Sequence, residues 1–120
     1  MRQVRQLIIA GLFLLVFIVG GYIWITYSSS GPVTSKRIDV TVTGGKSMSP
    51  STWTARQNDR VIINITSDTD GEVHLHGYDI KWGLTQGLPW TISFIADKTG
   101  DFPIEWETTS SPLGDFKVSP

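Results

Sequence analysis

The 120-residue sequence contains no cysteine. That one absence excludes disulfides, thiolate-held metals, a cysteine nucleophile and a lipid anchor attached through cysteine. Histidine is almost missing as well: His74 and His76 are the only two. Apart from Met1, Met48 is the sole thioether. Basic charge is not in excess either. With Arg2 and Arg5 set aside, eight Lys/Arg face eleven Asp/Glu. A nucleic-acid binder would show a basic stripe, so nucleic acid is not an expected partner. Enzyme signatures are absent: there is no Gly-x-Ser-x-Gly elbow and no Ser/His/Asp set at suggestive spacing. Asp68, Asp70 and Glu72 cluster in a turn, but the run is too short for an EF-hand and lacks its closing Glu. The chain reads as a binding protein and not as an enzyme.

What is present is unevenly distributed. Residues 7–25 hold no charge and consist of Leu, Ile, Val, Phe, Gly, Ala, Tyr, Trp and little else. As a helix they would reach roughly 28 Å, close to the ~30 Å hydrocarbon core of a bilayer. Arg2 and Arg5 precede the run, which by the positive-inside rule leaves the N-terminus in the cytoplasm and the remainder outside. Tyr22, Trp24 and Tyr27 stand where an interfacial aromatic belt belongs. A cleaved signal peptide is the competing reading, although its apolar region is usually only ~7–15 residues. Both readings place the rest on the extracytoplasmic side. The expected organisation is a cytoplasmic N-terminus over 1–6, a transmembrane anchor over 7–27, a linker over 28–35 and one domain over 36–120.

That domain reads as all-β. Ile38, Val40 and Val42 share a strand face, as do Val61, Ile63 and Ile65. Val73 and Leu75 alternate with Glu72, His74 and His76; Ile92, Phe94 and Ala96 alternate with Thr91, Ser93 and Ile95. Phe102 with Ile104, and Phe116 with Val118, complete the series. Turn residues separate the runs at Gly44-Gly45, Asn58-Asp59, Asp68 to Gly71, Gly87 to Pro89, Thr99-Gly100 and Ser110 to Gly114. Six or seven short strands at this spacing predict a sandwich or barrel of antiparallel strands.

The stretch Glu72-Val73-His74-Leu75-His76-Gly77-Tyr78-Asp79 resembles the His-Gly-aromatic segment of membrane-anchored cupredoxin-like domains. Three further pieces follow in the order such domains have: Gln57 to Val61, Gly87-Leu88-Pro89 leading into Trp90 to Ala96, and Ala96 to Phe102. The resemblance covers residues 36–120 and implies a Greek-key β-sandwich. It also implies copper, with the first imidazole at the position of His76. A blue-copper centre takes two imidazoles, a thiolate and a weak axial thioether. The resemblance places the last three ligand groups in the loop between the final two strands. Here that loop, residues 105–114, holds no Cys, His or Met. Blue-copper electron transfer is therefore excluded, and so is a binuclear centre built on two thiolates; only ligands lent by a partner would restore it.

A different site remains open. Period-2 geometry puts His74 and His76 on one strand face together with Glu72 and Tyr78. Two imidazoles and a carboxylate would suit Cu(II) or Zn(II), and copper binds tightest in the divalent series. Glu105 and Glu107 share a face, and the resemblance brings their loop near His76, so Glu107 is the expected third metal ligand beside His76 and His74. Met48 is the only soft alternative. The bland readings are hydrogen-bonded histidines, solvated glutamates and a packed methionine. Trp82 and Trp90 flank a Gly-rich loop and would form a partner surface if exposed together; the alternative is that each fills the core. Two functions follow. One is a membrane-anchored extracytoplasmic domain holding copper, as Cu(II), for metal handling near the membrane. The other is a metal-free interaction module, an accessory part of a membrane complex with a membrane-protein partner.

Overall fold

The computed structural model describes residues 33–120, which form a compact unit with its own core. The expected anchor over 7–27 lies outside the described residues, as does most of the linker. Among the described residues no helix is long and apolar enough to cross a membrane.

Nine strands build two sheets. In order they are β1 (Ser35–Thr43), β2 (Ser47–Ser49), β3 (Thr52–Arg56), β4 (Arg60–Ser67), β5 (Gly71–Leu75), β6 (Ile80–Leu84), β7 (Trp90–Ile95), β8 (Gly100–Trp106) and β9 (Ser111–Ser119). One sheet runs β2-β1-β4-β7 and the other β3-β9-β8-β5-β6. The all-β sandwich expected from alternation is thus present, with two corrections. The pairings β1–β4 and β3–β9 are parallel, so the sheets are mixed and not wholly antiparallel. Strands β2, β3 and β6 were not among the expected runs, although Trp53/Ala55 and Ile80/Trp82/Leu84 do alternate with polar neighbours.

Alternation explains the core directly. Val61, Ile63 and Ile65 of β4 and Val73 and Leu75 of β5 are wholly buried, while the residues between them are not. Each such side chain contributes about 1.5–3 kcal/mol on leaving water. Leu113 and Phe116 both point inward although three positions apart, which simple alternation forbids. A bulge resolves this: Ile104 pairs with Gly114 but Glu105 with Pro112, leaving Leu113 as the extra residue. Gly114 has no alternative there, because a Cβ would run into the Ser51 carbonyl oxygen. At the β1–β2 turn Gly44 and Gly45 both have positive φ, 60° and 61°, the conformation that a tight hairpin matched to strand twist requires.

The tryptophans divide. Trp53, Trp82 and Trp106 are buried, with Trp53 and Trp82 edge-to-face at 6.2 Å, whereas Trp90 is 55% exposed. Trp82 and Trp90 therefore form no joint surface patch: Trp82 fills the core as the alternative reading held, while Trp90 is exposed. Trp82 lies on the inward face of β6, cross-strand from Val73. Met48 is packed, as the bland reading held: it sits in β2 opposite Val42, buried in the core.

Candidate metal centre

The two histidines stand on the outer face of the five-stranded sheet. His74 lies mid-β5, opposite Glu105 of β8 on one side and Lys81 of β6 on the other. Val73 and Leu75 go into the core, so His74 must face out. His76 follows the end of β5, and its N–H donates to the Pro103 carbonyl at 3.0 Å. Proline has no N–H to return, so the β5–β8 ladder stops there. Gly77 then turns the chain at φ 83°, and a Cβ on it would strike the Phe102 ring.

Tyr78 anchors this turn from below. Its ring packs against Phe102, Phe94 and Phe116 with centroids 4.9, 5.4 and 5.6 Å away. Its hydroxyl donates to the Lys98 carbonyl at 2.7 Å and accepts from the Lys98 N–H at 3.1 Å. Burial pushes the phenol pKa above its ordinary value of 10.0, partly offset by the backbone bond at Lys98. The histidine turn is therefore held to both sheets.

Side by side, the imidazoles have centroids 4.0 Å apart and planes tilted by 38°. Around them lie four charged side chains. Glu107, from the short 3₁₀ turn Glu107–Thr109, brings Oε2 to 3.1 Å from His74 Nδ1. Its other oxygen, Oε1, is 3.7 Å from Lys81 Nζ. Glu105 Oε2 is 3.6 Å from His76 Nε2, and Asp79 Oδ1 is 3.7 Å from His74 Nε2. Both Nε2 atoms are buried without a hydrogen-bond partner. An unsatisfied buried polar atom costs about 1–3 kcal/mol, so two at one spot call for an explanation.

His74, His76 and Glu107 each offer one ligand atom, and these atoms lie within 4.8 Å of one another. Metal bonds to imidazole and carboxylate are about 2.0–2.2 Å, which sets ligands at right angles about 3 Å apart. The His74–Glu107 spacing already matches that figure. The three residues expected as ligands from sequence thus converge in space. Glu107 approaches His74 and not, as expected, His76, because β5 and β8 are antiparallel and the final loop sits beside the first half of β5. Met48 stays away, in the core. Sequence reasoning missed Asp79 and Lys81; the alternation around Lys81 was the available signal.

The two-sheet sandwich that carries these residues has the cupredoxin-like fold. Three solved structures show the likeness. A copper-binding protein in its apo form superposes with a TM-score of 0.61 at 14% identity, over 75% of this chain and 93% of that one. The metal-binding domain of the Cu(I)-exporting P-type ATPase CopA of Streptococcus pneumoniae, solved with Cu(I), gives 0.64 at 14% identity over 76% and 92%. A chain of a heme-copper terminal oxidase dimer gives 0.57 at 17% identity over 92% and 97%. At such identities the likeness establishes the fold. No protein-family model matches the sequence, and no curated protein matches it.

Proposed function

We propose that the chain is a membrane-anchored extracytoplasmic domain that binds copper, as Cu(II), at His74, His76 and Glu107, for metal handling near the membrane. The observation that carries this reading is the convergence of two imidazoles and a carboxylate beside ring nitrogens that have no hydrogen-bond partner. Nitrogen and oxygen ligands without sulfur favour Cu(II) over Cu(I), and copper over the other divalent ions. The copper ligands of the ATPase domain and of the copper-binding protein are theirs, but their shared fold supports the same metal here. Residues 7–27 serve as the anchor, on the hydropathy and Arg2/Arg5 arguments above. The domain acts by holding or passing metal and catalyses nothing itself.

The test is a Cu(II) titration of the full chain in neutral detergent, followed by electron paramagnetic resonance, with His76→Ala as control. One tight equivalent with nitrogen hyperfine structure, lost in the variant, is expected. Weak, multiple or mutation-insensitive binding would sink the proposal. One observation favours a second reading, a metal-free interaction module in a membrane complex: Leu88 and Trp90 are 61% and 55% exposed. Failure of the titration would pass the argument to that surface.

A further inference from the structure

Each sheet ends in two edge strands, and an edge offers unpaired N–H and C=O groups to any further strand. Three of these four edges are blunted. β2 is only three residues long, and β6 carries the exposed Lys81. In β3 the Arg56 N–H donates to Asp59 Oδ2 at 2.9 Å, and the Arg56 carbonyl accepts from the Asp59 N–H at 3.0 Å. The fourth edge, β7, has no such device. Its six residues, Trp-Thr-Ile-Ser-Phe-Ile, include no charge and no proline, and its ladder with β4 runs without a bulge.

No residue of β7 is buried. Ile92 and Phe94 face inward, across from the buried Ile63 and Val61, yet stay half-buried because no strand lies beyond them. Trp90 continues that inward series at 55% exposure, with Leu88 and Ile95 exposed beside it. The backbone shows which groups are free. Ala96 donates to the Asp59 carbonyl at 2.9 Å and accepts from the Asn58 N–H at 2.7 Å, so the even-numbered residues bond toward β4. Thr91, Ser93 and Ile95 therefore aim their N–H and C=O groups outward. Two outward groups are unable to pair: the Ile95 carbonyl already accepts from the Asp97 N–H at 2.9 Å, and Pro89 has no N–H.

We infer that β7 pairs with the β7 of a second copy of this chain, antiparallel about a two-fold axis at Ile92. In that register Thr91 and the partner's Ser93 exchange both bonds, and the Ile95 N–H donates to the partner's Pro89 carbonyl. The two groups unable to pair then face each other, and no donor or acceptor is orphaned. A shift of two residues one way aims the Thr91 N–H at the occupied Ile95 carbonyl; the other way aims the Ser93 carbonyl at the proline nitrogen. On the inward side Trp90 meets the partner's Phe94, and Ile92 the partner's Ile92, at the closer spacing of about 4.5 Å between Cα atoms. No charge opposes another. The contact covers the half-exposed inward series and joins two four-stranded sheets into one. It requires neither the metal nor the anchor proposed above.

The test exploits the absence of cysteine. Ile92→Cys and Thr91→Cys are made separately in the full chain, held in neutral detergent and exposed to oxidised glutathione. The two-fold sets paired Ile92 positions within the roughly 4.4–6.8 Å between Cα atoms that a disulfide spans, and paired Thr91 positions beyond about 7 Å. A covalent dimer is expected from Ile92→Cys and not from Thr91→Cys. Ser93→Pro removes an outward N–H and leaves the β4 ladder intact. Added to Ile92→Cys, it should raise the concentration needed for crosslinking roughly tenfold. Near-ultraviolet circular dichroism of the buried Trp53 and Trp82 verifies the fold; if Ser93→Pro fails that check, Ser93→Lys takes its place with the same expectation. No dimer from Ile92→Cys, equal crosslinking at both positions, or indifference to the Ser93 variant would overturn the pairing.

Discussion

The two sheets present outer faces of the same architecture and very different chemistry. On the four-stranded sheet, β4 and β7 show Ile62, Asn64, Thr66, Thr91 and Ser93, where Thr91 donates to Asn64 at 3.1 Å and the amide leans toward Asp39. The corresponding face of the five-stranded sheet shows Glu72, His74, Lys81, Glu105 and, at its rim, His76 and Glu107. Both are made by the same period-2 alternation over the same core. The fold supplies two platforms, and the side chains set on one of them give it something to do.

Breaking the shared core removes both platforms at once. Phe116, fully buried against Trp53, Tyr78 and Phe94, joins the two sheets. Phe116→Ala is expected to cost about 3–5 kcal/mol in denaturant unfolding and to abolish metal binding with the fold. Changes on a single face separate the two. His74→Ala should weaken Cu(II) by more than the roughly 10–100-fold that loss of an outer-shell partner costs. Asn64→Ala, its counterpart on the other sheet, should leave the titration unchanged and shift stability by under about 0.5 kcal/mol. Equal effects of the two would erase the distinction drawn between the faces.

A smaller effect belongs to Lys81. Its ammonium neutralises Glu107 and repels a divalent ion, so Lys81→Gln should tighten Cu(II) by about fivefold at low salt, and by less as salt is added. Weaker binding would mean that Lys81 holds Glu107 in place. The smallest concerns the turn under the histidines. The Tyr78 pKa is raised in the folded state, so its stabilising contribution is complete below pH 10.0 and fades as pH rises through that value toward the folded one. Tyr78→Phe should flatten this alkaline decline in melting temperature. An unchanged slope would show that the phenol is not buried as described.

Much of this was legible before any coordinates. The absence of cysteine rules out a thiolate centre whatever the fold. Alternation around Val61, Ile63, Ile65, Val73 and Leu75 predicted both which residues would be buried and that His74 would face out, because strand periodicity is a local property of the backbone. Strand β2, only three residues long, gave too short a pattern to read, and the parallel pairings β1–β4 and β3–β9 depend on partners far apart in the chain. Trp82 and Trp90 illustrate the limit. They are the same residue type eight positions apart with Gly nearby, and nothing local says that one would meet Trp53 in the core while the other met solvent.

By itself the sequence determined the all-β class, through local periodicity, and the exclusion of a thiolate centre, through residue identity; the copper fold and Glu107 as a candidate ligand were implied by the resemblance. Only the tertiary structure decided that Glu107 meets His74 and that two imidazole nitrogens are left buried without a hydrogen-bond partner. Those are distances between strands remote in sequence, set by sheet order and register, and neither can be read from a single strand.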